Sequence, residues 1–209
     1  MSRRRLRRAL LVGTVLLGAA LVCARTVQAT IAEQRARLPP PADCDDPVEG
    51  VWKSHKYNPQ FGDWEIFTLE IRRVPGTKNA LRGTISNHSW IGGPGDEEPG
   101  PCRGQFHWIV SMDAQGSVQG QQIFFGGIGQ WRVDQVICAQ GPWGYNLDNF
   151  SGEIDPELQE FQSLNNDGGR AVNEPYVFRR IRCFPPGSVP HVEVAPPPFF
   201  PQRSGGCSP

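Results

Sequence analysis

The sequence predicts an all-β domain, stapled by disulfides and exported from the cytoplasm. Three observations carry this reading. Strand-like alternation bounded by Gly, Pro, Asn and Asp recurs along the chain while helical periodicity is scarce. The cysteines are widely spaced and never closely paired. The N-terminus has the layout of an export signal.

The chain opens with Arg3, Arg4, Arg5, Arg7 and Arg8 and runs into Ala9 to Ala24, 16 uncharged residues. A spanning helix needs about 20 apolar residues, so this segment reads as the h-region of a signal peptide over 1–29, cleaved after Val27-Gln28-Ala29. The destination is secretion or the periplasm and cell envelope, and the membrane is reached only through this segment if it stays uncleaved. Cleavage removes six arginines and no acids, leaving 15 basic against 21 acidic side chains. A mildly acidic chain without a basic face excludes a nucleic-acid partner.

Thr30 to Leu38 reads as a short helical stem that ends at Pro39-Pro40-Pro41, making 30–43 a linker. The folded domain spans 44–184, and the proline-rich 185–209 is a disordered tail. Within the domain, strands are predicted at Gly50 to Tyr57, Trp64 to Val74, Leu81 to Ile91, Gln105 to Met112, Ser117 to Phe125, Gln130 to Cys138, Asn149 to Ile154, Glu157 to Leu164 and Tyr176 to Cys183. Many short strands in succession make a barrel or a sandwich. Val74-Pro75-Gly76, Asp113-Ala114-Gln115-Gly116 and Asn166-Asp167-Gly168-Gly169 supply turns. An apolar-x-Gly-x-apolar pattern repeats around Gly83, Gly120 and Gly152, as consecutive hairpins closing on themselves would generate. Four domain cysteines allow three pairings. Cys44 with Cys183 and Cys102 with Cys138 is favoured, because the first ties the start of the domain to its end. Cys207 remains in the tail, as an exposed thiol, a second partner for Cys44, or one half of an intermolecular bridge.

Gly50-Val51-Trp52 on the first strand, the run of hairpins, and the arginine-bearing last strand Tyr176 to Cys183 together resemble the calycin superfamily, the lipocalins and avidin-like barrels. The resemblance implies an antiparallel up-and-down β-barrel of about eight or nine strands. It also implies that a Trp of a first-strand G-x-W motif packs inside one end beneath an Arg from near the last strand. Trp52 takes the first role and Arg180, or Arg182, the second, closing the barrel base. A T-D-Y triplet, another lipocalin signature, is absent. A role as a non-catalytic carrier of a small ligand follows from the resemblance alone.

Trp52, Phe67, Phe106, Trp108, Phe124, Trp131 and Phe150 alternate as an inward face would. They either fill the core or line a cavity. Asn87, Gln122 and Gln135 fall on what reads as the same face, and an aromatic-and-amide interior suits a small hydrophobic or amphipathic ligand. Trp108, Gln122, Phe124, Trp131 and Gln135 are therefore the candidate ligand contacts. Asn87-His88-Ser89 and Asn149-Phe150-Ser151 match glycosylation sequons, the first in conflict with an inward Asn87. His55, His88 and His107, with Asp63 or Glu65, are candidates for a base or metal site, although the phase of His88 and His107 puts both outside. Gly92 to Gly100 reads as an acidic loop that caps one barrel mouth or only connects strands, and Asn165 to Gly169 as a turn that lacks the ligands of a calcium loop. No cofactor, metal or nucleophile motif occurs. Ligand binding is the leading expectation, a cell-envelope interaction or structural module the second, and an enzyme with His88 and a neighbouring acid the third.

Overall fold

The structure is a computed structural model that describes residues 31–102, 105–138, 141–142 and 144–185. The expected signal peptide, Cys207 and nearly all of the tail lie outside them. The chain is helical over 31–37 (α1). It continues as strands β1 (Gly50–Lys53), β2 (Lys56–Asn58), β3 (Asp63–Arg73), β4 (Ala80–Ile91), β5 (His107–Gln119), β6 (Gln122–Cys138), β7 (Asn149–Asp155), β8 (Glu160–Asn166) and β9 (Val172–Arg182).

Every neighbour pair from β3 to β9 is antiparallel, and β1 pairs with both β9 and β3. The result is a closed eight-stranded up-and-down barrel, with β2 an additional strand laid along β3 in line with β1. Ser54 makes the join between β1 and β2. Its N–H donates to the Phe67 carbonyl at 2.9 Å, and its Oγ accepts the Phe67 N–H at 3.0 Å.

Three strands expected between Gln105 and Cys138 are two. The turn falls at Gly120–Gln121, where Gln119 pairs with Gln122 and Gly120 takes φ 62°. Asp113–Gly116 stays inside β5, because its ladder to β6 continues through register irregularities instead of ending. The glycine repeat has a steric basis at two of its positions. A Cβ on Gly83 would lie 1.7 Å from the Glu70 carbonyl oxygen, and one on Gly152 2.0 Å from that of Gln162. Gly120, the third member, is instead the hairpin turn.

Alternation sends Leu69, Ile71, Leu81, Ile85, Phe125, Phe150, Phe161 and Phe178 inward, where they pack the half of the barrel nearest β1. Phe150 meets Phe67 and Phe178 edge to face at centroid distances of 5.0 and 4.9 Å, the arrangement that ring quadrupoles favour. The base is closed by Trp52 and Arg180, both fully buried. The Arg180 guanidinium sits 5.2 Å over the Trp52 ring and donates to the carbonyls of Asp46 and Glu49 and to Gln159. Disulfides join Cys44 to Cys183 and Cys102 to Cys138.

The segment expected as a linker packs on the outside of the barrel. β1 reaches only Arg179 to Arg182 of β9, which leaves the backbone above them without a strand partner on that edge. Gln34 of α1 fills the gap, donating to the Pro175 carbonyl at 3.1 Å and accepting the Val177 N–H at 3.0 Å. The acidic loop after β4 is not over a barrel mouth. It lies on the outer wall, where Gly93 and Asp96 accept the indole N–H groups of the stacked pair Trp64 and Trp90.

Two measurements test this construction. Replacing Gln34 with Ala strands the buried Val177 N–H and the half-buried Pro175 carbonyl and is expected to cost about 1–3 kcal/mol in urea unfolding. Loop-closure entropy makes the bridge spanning 139 residues worth about 1 kcal/mol more than the one spanning 36. Replacing Cys44 and Cys183 with Ser should therefore lower stability more than replacing Cys102 and Cys138.

Candidate functional site

At the end of the barrel opposite Trp52, the inward positions change character. Two residues before Phe67, β3 places Glu65 inside, and two further Asp63. β4 continues Ile85 with Asn87 and Ser89, β8 continues Ser163 with Asn165, and β9 brings Tyr176. Glu65, Asn87, Ser89, Asn165 and Tyr176, together with Trp108 of β5, Trp131 of β6, Arg170, and Tyr145 and Asp148 from the segment between β6 and β7, line a cavity of about 510 Å³, and Asp63 is bound to Arg170 beside it. That volume falls in the range of small-molecule sites. A larger hollow, about 610 Å³, lies at the rim of the base among the turns bearing Lys78, Gly120 and Pro156. It is a more open surface recess whose ionic pair, Arg73 with Asp46, is already satisfied at 2.7 Å, so the interior cavity is the better site.

Polar groups in the cavity are wired together. Ser89 donates to Asn87 Oδ1 (2.8 Å), Asn87 Nδ2 to the Tyr145 hydroxyl (2.7 Å), and that hydroxyl to Asp148 Oδ2 (2.7 Å). Asn165 Nδ2 donates to Asp148 Oδ1 at 2.7 Å. On the facing wall, Tyr176 donates to Glu65, and Arg170 binds Asp63 through both carboxylate oxygens. Lys56 reaches Glu174 at 2.5 Å and lies 4.1 Å over the Tyr176 ring.

Burial dominates the ionisation of this network. It pushes the Asp148 carboxyl up to about 7, against the hydrogen bonds from Tyr145 and Asn165 that favour the charged form. It raises Glu65 despite Tyr176 and Arg170, raises Asp63 despite Arg170, and lowers Lys56 despite Glu174. Burial also holds the Tyr145 and Tyr176 phenols well above their ordinary value, so both remain hydrogen-bond donors.

Of the residues singled out as ligand contacts, Trp108 and Trp131 line the cavity. Gln122 and Phe124 do not. Ile123 and Phe125 take the inward positions of β6, so alternation turns their neighbours out, leaving Phe124 46% exposed and Gln122 against Glu153 on the surface. Gln135 is also exposed and outside the cavity, because register irregularities in the β5–β6 ladder shift the phase before it is reached. The sequence reading missed Asp148, Tyr145, Asn165, Tyr176 and Arg170 as cavity residues. The available signal was the polar residue that continues each apolar phase, as Asn165 continues Phe161 and Ser163.

Among the described residues, no histidine pairs with a carboxylate side chain. His88 and His107 stack on the outer wall with Nε2 atoms 2.7 Å apart, and burial and mutual repulsion lower His88 to about 4. His55 contacts the Glu97 carbonyl. Among the described residues, no three metal-ligating side chains gather. The sequon at Asn87 is inaccessible, since its side chain is buried in the cavity network.

No protein-family model matches the chain, nor does any curated protein or solved structure. What stands is the architecture: a closed antiparallel barrel compatible with a calycin-like fold, carrying two disulfides of the kind that persist in oxidising compartments.

The sign of the Asp148 effect on stability follows from linkage. Its folded value, about 7, lies above the ordinary 3.8, so the native state holds the proton more tightly than the unfolded chain between those limits. The contribution of this group is greatest below about pH 4 and is lost as pH rises through about 7. Asp148→Asn should flatten that part of the Tm-against-pH profile and leave the variant more stable than the parent above about pH 7, as read by thermal denaturation.

Proposed function

We propose that this chain is an exported, lipocalin-like domain, secreted or periplasmic, that binds a small amphipathic molecule non-covalently in the open end of its barrel. The observation that supports this is the division of the interior. One half is packed solid with aromatics, while the other keeps a cavity of about 510 Å³ lined by Trp108 and Trp131 and by a fixed network of buried polar groups. Ring faces supply contact area, and Asn87, Tyr145, Asp148 and Asn165 supply direction. Buried polar groups of this density cost stability, which is what a binding site trades for specificity.

Native mass spectrometry of the protein from its own host should show a reproducible extra mass that disappears on gentle denaturation and is reduced in Trp131→Ala. Bare chain with two intact disulfides in every preparation would sink the carrier reading.

A cell-envelope interaction module is the second reading, and β6 favours it. Only Gln122 to Gly126 pair with β7, and beyond them Ile128, Val133, Val136 and Ile137 are each 38–43% exposed. A long exposed apolar edge is a pairing surface. Chemical cross-linking in the native envelope that yields only the monomer band would count against it.

A further inference from the structure

The charge pattern of the cavity narrows its ligand class, an inference that rests on the carrier reading above. Of the acids around the cavity, all but one have their charge met. Arg170 lies 2.6 Å from Asp63 and 3.4 Å from Glu65, and Lys56 2.5 Å from Glu174. Asp167 accepts the backbone N–H groups of Gly169 and Ala171 at 2.7 and 2.9 Å. Asp148 differs. Its hydrogen-bond partners, Tyr145 and Asn165, are neutral, and among the described residues no cation lies within ion-pair distance of it. Each of its oxygens accepts a single hydrogen bond and keeps a free lone pair.

The groups that face Asp148 from the surrounding elements make the imbalance worse. Glu65 from β3 and Asp167 from the β8–β9 turn are acids, Tyr145 from its own segment and Tyr176 from β9 are neutral, and the cations Arg170 and Lys56 are held by their own acids. An anionic ligand would enter a net negative site. A neutral one would leave the buried carboxylate uncompensated, at the cost such a group carries. An ammonium supplies the missing charge. Tyr145 stands between Trp108 and Trp131, with ring centroids 5.7 and 6.0 Å away, so aromatic faces that attract cations border the same acid.

We propose that the cavity takes a primary or secondary amine with an apolar or aromatic body, its ammonium on Asp148 and its body against Trp108 and Trp131. The ammonium charge stabilises the Asp148 carboxylate that burial lifts to about 7, so binding expels a proton near neutral pH.

Isothermal titration of the purified protein with matched triplets tests this: amine, alcohol and carboxylic acid on the same phenylethyl or octyl body. The amines should bind at least tenfold more tightly than the alcohols, with the acids weakest. Titration in buffers of different ionisation enthalpy should show proton release. Asp148→Asn should abolish both the amine preference and the proton release while the alcohols still bind. Alcohols or acids matching the amines in the parent protein would overturn the amine assignment and leave the carrier reading standing. An amine preference that survives in Asp148→Asn but is lost in Glu65→Gln would overturn the role of Asp148. Failure of every member of both triplets to bind would remove the carrier reading and this inference with it. The comparison within the parent protein decides the ligand class even where the variant does not fold.

Discussion

The pairing of β1 on both of its sides is the constraint on which the rest of the molecule depends. Four residues, Gly50 to Lys53, form ladders with β3 and with β9 and so turn an open sheet into a barrel. Without them β3 and β9 become edges, which sheets leave exposed at the risk of aggregation, and Trp52 faces water. So short a ladder is weak alone, and the chain reinforces it from several directions. The Cys44–Cys183 bridge ties the approach to β1 to the exit of β9, the Arg180 carbonyl accepts the Ala42 N–H at 2.8 Å, and the Arg180 side chain gathers the carbonyls just before β1. The guanidinium over Trp52 is thus a clasp between the first and last strands as well as a plug.

Closure at one end frees the other. Because aromatic packing from Phe67 down to Phe178 supplies the core, the opposite half can hold Glu65, Asp148, Asn87 and Asn165 at 1–8% exposure. Buried acids are tolerated where hydrogen bonds or opposite charges meet them, and Asp63 and Glu65 follow that rule. Asp148 follows it in part, through two neutral donors. A chain selected only for stability would place an apolar residue there. Local departures from folding rules of this sort concentrate at working sites, which is why the cavity, and not the larger recess at the base, carries the functional reading.

Much of the architecture was legible in the sequence. Strand alternation, glycine-bearing turns such as Val74-Pro75-Gly76 and the spacing of the cysteines gave the all-β class, the closed hairpin order and the disulfide pairing. The interior was legible only where the phase was unambiguous, as at Trp52, Phe67 and Phe150. In β6 two adjacent phenylalanines, Phe124 and Phe125, fit either phase equally, and choosing the first reversed the face of Gln122 as well. The error has a physical root: alternation has period two, so a pair of like residues carries no information about direction. Residues on irregular backbone, Tyr145, Asp148 and Arg170, had no periodicity to betray them.

Their position is nonetheless set by the strands. β6 runs on beside β5 to Cys138, yet β7 begins pairing only at Gly126, so the two strands part at Gly126–Gly127 and leave a gap in the wall. The returning segment fills it. Leu147 and Tyr145 pack against the core, the Asp148 carbonyl accepts the Gly127 N–H at 2.8 Å, and a Cβ on Gly127 would lie 2.5 Å from the Met112 sulfur, so a larger residue there would have to push that side chain aside. The one buried cavity acid without a cationic partner among the described residues therefore stands where the ladder stops, on connecting backbone held by a rigid frame, which is where binding groups concentrate in proteins generally. The barrel does not merely surround the site: the early end of one strand pair creates it.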